Sequence, residues 1–221
     1  MGNSLTYWNE MPWLLEQIAG DAPGLAADFV GGGGMTLRQH WDGGRALRAI
    51  RQGRWDYVAL QGQSTEPRTA PHRFARYARM FDEEIRRRGA KTIFFVAWAP
   101  KGEPQAPITE RYLAVARETG ALAARVDVAW QDLRKRGFAL YDGSGLHPSF
   151  AGSYLSACVF YGAFTGKTPV GRRHRFEVDF EIDDEYRADL ESNRLSAADA
   201  LQIQKAAWEA VRGAKSGDER P

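Results

Sequence analysis

The stretch KTIFFVAWAP, residues 91–100, constrains the fold of this 221-residue chain more than any other segment. Its β-branched and aromatic residues form a continuous apolar run, which is typical of an interior strand in a parallel sheet covered on both faces. Further strands are expected at 25–30, 55–60, 122–126 and 139–142. Because amphipathic helical segments separate these strands, the sequence predicts a three-layer α/β/α sandwich around a parallel sheet.

Apolar residues recur at helical spacing between the strands. Helices are expected at 7–19, 36–53 with a break at Gly43 and Gly44, 73–88, 108–118, a short segment ending near 136, 149–164, and 195–211 with Ser196 as N-cap. The length fits a single domain, which is expected at 1–214. The polar residues 215–221 are expected to form a disordered tail.

The charge balance argues against a nucleic-acid partner. Lys and Arg number 30 against 28 Asp and Glu, and the resulting net charge of +2 is spread along the chain. Basic clusters at 86–89 and 171–175 are bordered by acidic residues and are expected to be solvated faces. The lone Cys158 excludes an internal disulfide. No segment has the length of a membrane span or the pattern of a signal peptide, so a cytoplasmic protein is expected from the chain as written.

Four loops carry the residues that bear on chemistry: GNSLT at 2–6, GGGGMTL at 31–37, LQGQSTEP at 60–67 and YDGSGLHPS at 141–149. Active sites of parallel sheets gather beyond the carboxyl ends of the strands, so these loops are expected to meet there. They supply a serine, a glycine-rich backbone, a side-chain amide and a histidine. These are the parts needed for acyl transfer: a nucleophile, oxyanion donors and a base.

In this order the four loops resemble blocks I, II, III and V of the SGNH, or GDSL-type, hydrolase superfamily, in the subgroup with a GNS-type block I. The resemblance covers nearly the whole chain and implies a flavodoxin-like sheet and a serine esterase. It assigns the nucleophile to Ser4 and the base to His147. It assigns the oxyanion hole to the amides of Ser4 and Gly34 and to the side chain of Gln63.

The resemblance also bears on substrate and cofactor. The third loop has the Q-G-x-S form of carbohydrate acetylesterases, so a small-molecule or carbohydrate ester is the implied substrate. Such a hydrolase needs no cofactor, and no pair of histidine, cysteine or carboxylate residues has the ligand spacing of a zinc site. No metal is therefore expected. The sequence does not indicate an oligomeric state.

The block V loop departs from the family pattern. Where the family usually has an aspartate three residues before the histidine, this chain has Ser144, and the nearest carboxylate is Asp142. His147 is therefore oriented by Asp142 through a rearranged loop, by a backbone carbonyl in a Ser-His dyad, or only weakly. Ser144 and His40 are candidate substrate contacts, although a structural role is favoured for His40.

The second departure concerns the first strand. In the family a buried central strand precedes the nucleophile block, but here only Met1 precedes Gly2. Either the start of the chain is placed too late or the fold lacks this strand, and we expect a misplaced start because an absent interior strand would leave neighbouring backbone groups unpaired. Residues missing at the start could also have carried an export signal.

Each residue also has a plainer interpretation. Ser4 could cap a helix, His147 could be a structural histidine, and Gln63 could cap its own loop. The presence of Ser144 in place of the aspartate and the absent first strand favour an alternative function, a catalytically silent SGNH-like domain that binds a sugar or acyl ligand. A flavodoxin-like nucleotide-binding protein is a third alternative, but the sequence has no phosphate-binding motif.

Overall fold

The computed structural model describes residues 1–20, 24–178, 181 and 195–218, with side chains in the last segment described as far as residue 214. Its sheet has three parallel strands in the order β1 (Tyr57–Leu60), β2 (Lys91–Phe95) and β3 (Leu122–Ala124). In the register, Ala59 is opposite Ile93, and Ile93 is opposite Leu122. The apolar run that begins at residue 91 therefore forms the strand between β1 and β3, as predicted.

Helices flank the sheet. They are α1 (Ser4–Tyr7), α2 (Met11–Ala19), α3 (Leu37–Gly43), α4 (Arg45–Gln52), α5 (Glu66–Thr69), α6 (Pro71–Arg87), α7 (Ala106–Thr119), α8 (Val126–Lys135), α9 (Phe150–Thr165) and α10 (Ala197–Asp218), with a 3-10 turn at Trp8–Glu10. The predicted helix at 7–19 is wrong in its first part, because this turn separates α1 from α2. Among the helices of the described residues, none combines the length and apolarity needed to cross a bilayer.

Successive side chains of β2 enter two separate cores. Ile93 and Phe95 point to one side, where they are buried with apolar residues of α2, α8, α9 and α10. Phe94 points to the other side, where it is buried with residues of α3, α4, α6 and α7. Alternation along one strand thus places a helical layer on each face, which confirms the predicted three-layer α/β/α fold.

Met1 and Gly2 lie beside β1 in the position of a further parallel strand. The amine of Met1 donates to the carbonyl of Ala59 at 2.9 Å, and the amide of Gln61 donates to the carbonyl of Met1 at 3.0 Å. On the opposite side, the amide of Gly2 donates to the carbonyl of Val30 at 3.3 Å. Residues 30–31, residues 1–2, β1, β2 and β3 therefore follow one another across the sheet, which is a flavodoxin-like order.

Two of the predicted strands are not present. Residues 25–30 are irregular, because a strand needs a partner along its length. Here only one bridge forms, between Gly2 and Gly31, directly after this segment. At this bridge a Cβ atom on Gly31 would lie 2.1 Å from the carbonyl oxygen of Gly2, so the close approach requires a glycine. Residues 139–142 form one antiparallel bridge, between Tyr141 and Pro148, because this segment pairs with its own loop.

A mostly apolar cavity of about 390 Å³ continues from Met1, between residues 24–30 and the start of β1. Its walls include Leu15, Ile50 and Phe160. Met1 and Gly2 thus fill part of the strand position between residues 24–30 and β1, and the cavity lies along the rest of that position.

The last helix begins as predicted, because the hydroxyl of Ser196 accepts a hydrogen bond from the amide of Asp199 at 3.0 Å. The backbone of residues 215–218 continues α10, and residues 219–221 lie outside the described residues. The extent of the domain, 1–214, and the tail at 215–221 stay predictions.

Two basic groups are buried where Met1 enters the sheet. Burial lowers the pKa of the Met1 amine from 8.0 to about 5, against the opposing effect of the Asp28 charge. His40 of α3 is 2% exposed, and its Nε2 lies 3.0 Å from the carbonyl oxygen of Gly2, so this nitrogen donates. Burial, and next the positive charge of the terminal amine, lower the pKa of His40 from 6.5 to about 4.

These lowered pKa values predict that the protein becomes more stable as the pH rises from 5 to 8. In this range the unfolded chain binds protons at Met1 and His40 that the folded chain does not bind, so the free energy of unfolding increases with pH. The expected increase is about 1.4 kcal/mol for each unit of pKa shift within the range. Urea unfolding at several pH values measures it.

A His40→Gln variant serves as the matched comparison. It should lose the histidine's share of the increase, which lies below pH 6.5, and should keep the share of the amine, which extends over the whole range from pH 5 to 8. A free energy of unfolding that is constant or falls over this range in the wild-type protein would contradict the burial of both groups.

Candidate active site

Ser4 and His147 are 143 residues apart in the chain and meet in the folded protein. The Oγ atom of Ser4 lies 2.9 Å from Nε2 of His147. Ser4 is 8% exposed, and the side chain of His147 is 22% exposed, so the pair is reachable from solvent. A hydroxyl in hydrogen-bond contact with an imidazole is the arrangement that general-base activation of a serine requires.

Gln61 holds the turn that presents Ser4. Its buried side chain is 1% exposed, and its Oε1 accepts hydrogen bonds from the amide of Asn3 at 2.8 Å and from the hydroxyl of Thr6 at 3.0 Å. Gly2 lies so close that a Cβ atom there would be 2.6 Å from the same oxygen. Gln61 was not predicted from the sequence, although its place as the first polar residue after β1 is a signal that could have found it.

His40 holds the same turn from the other side. Its hydrogen bond to the carbonyl of Gly2 occupies Nε2, and the ring is buried between α3 and the start of the chain. This position fits the structural role that was favoured for His40. Substrate binding by His40 stays a prediction.

Asn3 sets the start of α1, because its Oδ1 accepts a hydrogen bond from the amide of Leu5 at 3.0 Å. Ser4 is therefore the first residue of that helix and not its N-cap. In the next loop, Gly34 has a φ of +66°, in the left-handed region that a turn between Gly32 and Met35 requires. Within the part of the chain that the structure describes, the amides of Ser4 and Gly34 have no protein acceptor, as oxyanion donors must.

Gln63 caps the loop in which it lies. Its Oε1 accepts hydrogen bonds from the amides of Thr65 at 2.9 Å and Glu66 at 3.0 Å, and its Nε2 donates to the hydroxyl of Ser64 at 3.0 Å. This is the plainer of the two roles considered for Gln63. Because an amide nitrogen carries two hydrogens, one donor remains, and the oxyanion role of Gln63 stays a prediction.

Ser144 lies between Asp142 and the ring of His147. Its hydroxyl donates to Oδ1 of Asp142 at 2.5 Å and lies 3.4 Å from Nδ1 of His147. The nearer approach of Asp142 to the ring is 3.9 Å, from Oδ2 to Nδ1. Asp142 therefore reaches the imidazole through a serine. Substrate binding by Ser144 stays a prediction, but its hydroxyl faces Nδ1, the ring nitrogen turned away from Ser4.

The indole of Trp8 stacks on the imidazole of His147, with ring centroids 4.1 Å apart and planes inclined by 10°. The helix predicted at 7–19 would place Trp8 on its apolar stripe, and this is wrong because α1 ends at Tyr7. The closeness of Trp8 to His147 could not be found from spacing, because the contact joins residues far apart in the chain.

Within the described residues, no group of three or more histidine, cysteine or acidic side chains is placed to hold a metal ion.

Neither a protein-family model nor a curated protein matches the sequence. Several solved structures do match. A protein from Slackia heliotrinireducens, described as “a putative SGNH hydrolase”, is 28% identical over 74% of this chain and 95% of its own, with a TM-score of 0.64. A DUF4886 family protein from Bacteroides uniformis is 15% identical over 96% of this chain and 92% of its own, with a TM-score of 0.66.

A third match is an α/β hydrolase enzyme from the metagenome of Lake Arreo in Spain, which is 17% identical over 73% of this chain and 92% of its own, with a TM-score of 0.60. Together these matches show that the chain has an SGNH-hydrolase-like fold and that hydrolases are among its structural neighbours. Membership of the subgroup with a GNS-type block I stays a prediction.

The position of Gln61 predicts that Gln61→Met destabilises the protein. Methionine has a similar length, but its thioether is only a weak acceptor, so the buried amide of Asn3 would lose the Gln61 carbonyl as its partner at a cost of about 1–3 kcal/mol. Urea unfolding measures this loss, and Gln52→Met, at an exposed position of α4, is the matched control. Equal stability of the two variants would show that the bond to Asn3 does not support the turn.

Proposed function

We propose that this protein is a serine hydrolase that cleaves carboxylic esters through an acyl-enzyme on Ser4. The observation that carries the proposal is the 2.9 Å contact between Ser4 Oγ and His147 Nε2. The hydrolase-like fold supports it, because active sites of parallel α/β sheets lie at the loops where this pair is found.

The first step is acylation. Ser4 Oγ attacks the ester carbonyl carbon while Nε2 of His147 takes the hydroxyl proton, and a tetrahedral intermediate forms. The imidazolium then gives that proton to the leaving alcohol oxygen as the carbon–oxygen bond of the ester breaks. The products of this step are the free alcohol and an acyl group bound to Ser4.

The second step is deacylation. His147 takes a proton from a water molecule, the resulting hydroxide attacks the acyl carbon, and the proton returns to Ser4 Oγ as the acid leaves. In both steps the negative oxygen of the intermediate is expected to accept hydrogen bonds from the amides of Ser4 and Gly34 and from Gln63. Removal of one such donor costs about 10²–10³-fold in rate in enzymes of this kind.

Ser144 and Asp142 orient the base in this proposal. Nε2 must accept the proton of Ser4, so the neutral ring carries its hydrogen on Nδ1, which faces the hydroxyl of Ser144. Ser144 in turn donates to Asp142, so the carboxylate acts on the ring through the hydroxyl. This arrangement is weaker than a direct carboxylate bond, because the contact between Nδ1 and the Ser144 hydroxyl is long.

The proposed substrate is a small-molecule or carbohydrate ester with a small acyl group. Support comes from the Gln61–Ser64 loop, whose form resembles that of carbohydrate acetylesterases. The proposed mechanism uses protein groups and water alone. A cytoplasmic location and the absence of a nucleic-acid or membrane partner stay predictions.

The alternative is a catalytically silent domain that binds a sugar or acyl ligand in the same cleft. The 3.9 Å separation of Asp142 from the imidazole favours it, because a base without a direct carboxylate partner is less well oriented. The two functions differ in ester turnover, which the next experiment measures.

We expect Ser4→Ala and His147→Gln each to lower the rate of p-nitrophenyl acetate hydrolysis by about 10³-fold or more, because the nucleophile and the base act as one unit. Labelling of the wild-type protein by a fluorophosphonate, with loss of labelling in Ser4→Ala, identifies the nucleophile. Thermal unfolding should change little, which separates chemistry from folding. Full turnover by Ser4→Ala would remove the assignment of the nucleophile, and no turnover by the wild type would favour the silent domain.

A second experiment tests the path from Asp142 through Ser144. Asp142→Asn should lower kcat by about 10–10²-fold, less than the 10⁴-fold known for a directly bonded triad aspartate. Ser144→Asp in that background should restore the rate, because it brings a carboxylate next to Nδ1. An unchanged rate in Asp142→Asn, with a faster rate in the single variant Ser144→Asp, would instead indicate a Ser-His dyad.

A further inference from the structure

The chain takes an unusual path between α1 and α2. Asn9 has φ and ψ of 52° and 35°, and Glu10 has 50° and 44°, so two consecutive residues with side chains occupy the left-handed region. Residues other than glycine rarely adopt this conformation. It persists where surrounding contacts impose it, and it is found more often at functional sites.

The contacts that impose this path lead to the base. The side-chain amide of Asn9 donates to the carbonyl of Pro148 at 3.2 Å and to the hydroxyl of Ser153 at 3.0 Å. The hydroxyl of Ser153 donates to the carbonyl of Trp8 at 3.0 Å. A closed set of hydrogen bonds therefore joins the segment that follows Ser4 to the residue that follows His147.

Trp8 adds a contact to the ring itself. The near-parallel stacking at 4.1 Å covers one face of the imidazole, so rotation of the ring away from Ser4 would be blocked by the indole. Trp8 follows α1 directly, and α1 begins with Ser4. One short segment thus carries both the nucleophile, Ser4, and the indole ring against which the base packs.

The base has a need for such support. In a serine triad a directly bonded carboxylate fixes the orientation of the imidazole. Here Asp142 is 3.9 Å from Nδ1, and the Ser144 hydroxyl is 3.4 Å away and already engaged with Asp142. The polar contacts of Nδ1 are therefore long. The indole of Trp8 contacts the face of the ring, and the hydrogen bond from Asn9 is made to the carbonyl of Pro148, the residue that follows His147.

We infer that Trp8 and Asn9, here called the Trp8–Asn9 clamp, are positioning residues that hold the His147 ring at Ser4. The inference rests on the proposed function of Ser4 and His147, and it adds two residues to which no role was assigned. The clamp also acts when the base is protonated, because the face of an indole attracts a cation.

Substitution of Trp8 tests the stacking. Trp8→Leu should lower kcat for p-nitrophenyl acetate by about tenfold or more with little change in KM, because displacement of a catalytic group by about 1 Å can cost up to 10²-fold. Trp8→Phe, which keeps an aromatic face, should recover most of the rate. Trp41→Leu, which removes a similarly half-buried indole on the other side of the sheet, should leave kcat unchanged.

Two variants of Asn9 separate the amide from the backbone. Asn9→Ala and Asn9→Gly both lose the bond to Pro148, but glycine accepts the left-handed conformation at little cost. If the amide positions the base, both variants should have lowered kcat. A loss confined to Asn9→Ala would overturn the role of the amide and show that only the backbone conformation matters.

Histidine ring signals in NMR give a readout that does not require activity. In the wild-type protein the signals of the His147 ring protons should be shifted upfield by the indole, and His147→Gln, which lacks these signals, identifies them. In Trp8→Leu the signals should lose this shift, and their relaxation should indicate a more mobile ring. Without ester turnover by the wild type, the proposed function fails, while a ring shift that depends on Trp8 still supports the clamp. Wild-type kcat in Trp8→Leu, or a ring that is equally mobile with and without Trp8, would overturn the clamp.

Discussion

The hydrogen bonds of Met1 and Gly2 to the segments on either side set where Ser4 leaves the sheet. Ala59, Gln61 and Val30 bind these two residues from opposite directions, and His40 binds the carbonyl of Gly2. Because Ser4 comes only two residues later, any shift of this pairing would move its hydroxyl relative to His147. The geometry of the site therefore depends on backbone pairing at the centre of the sheet, and the lack of a side chain at Gly2 permits it.

Local patterns in the sequence predict the parts of the fold that local forces determine. The apolar run of β2 and the helices with a regular apolar stripe are of this kind. The meeting of Ser4 and His147 joins distant parts of the chain, and it was expected from the resemblance of the four loops to the SGNH blocks and not from a local pattern. Residues 25–30 and 139–142 have strand-like composition, but a strand also needs a partner along its length. That partner lies elsewhere in the chain, so composition alone could not reveal that each segment makes only a single bridge.

The residues missed at the site were missed for the same reason. Gln61 is visible in the sequence as a polar residue after a strand, but its bonds to Asn3 and Thr6 join segments that are 55 to 58 residues apart. Trp8 has the spacing of a helical apolar stripe, so its partner was expected in the core. A side chain acquires a role at an active site through such distant contacts, and periodicity does not record them.

The break between α1 and α2 determines where Trp8 lies relative to Ser4 and His147. A single helix running from Ser4 through the apolar positions of α2 would avoid two left-handed residues, each of which costs about 1–3 kcal/mol. It would also continue the rotation of about 100° per residue, and would not form the turn that presents the Trp8 ring to His147. Asparagine tolerates the left-handed region better than most residues, and the bonds of its amide to Pro148 and Ser153 compensate for part of the cost. The strained turn is therefore the means by which one segment holds Ser4 and His147 in contact.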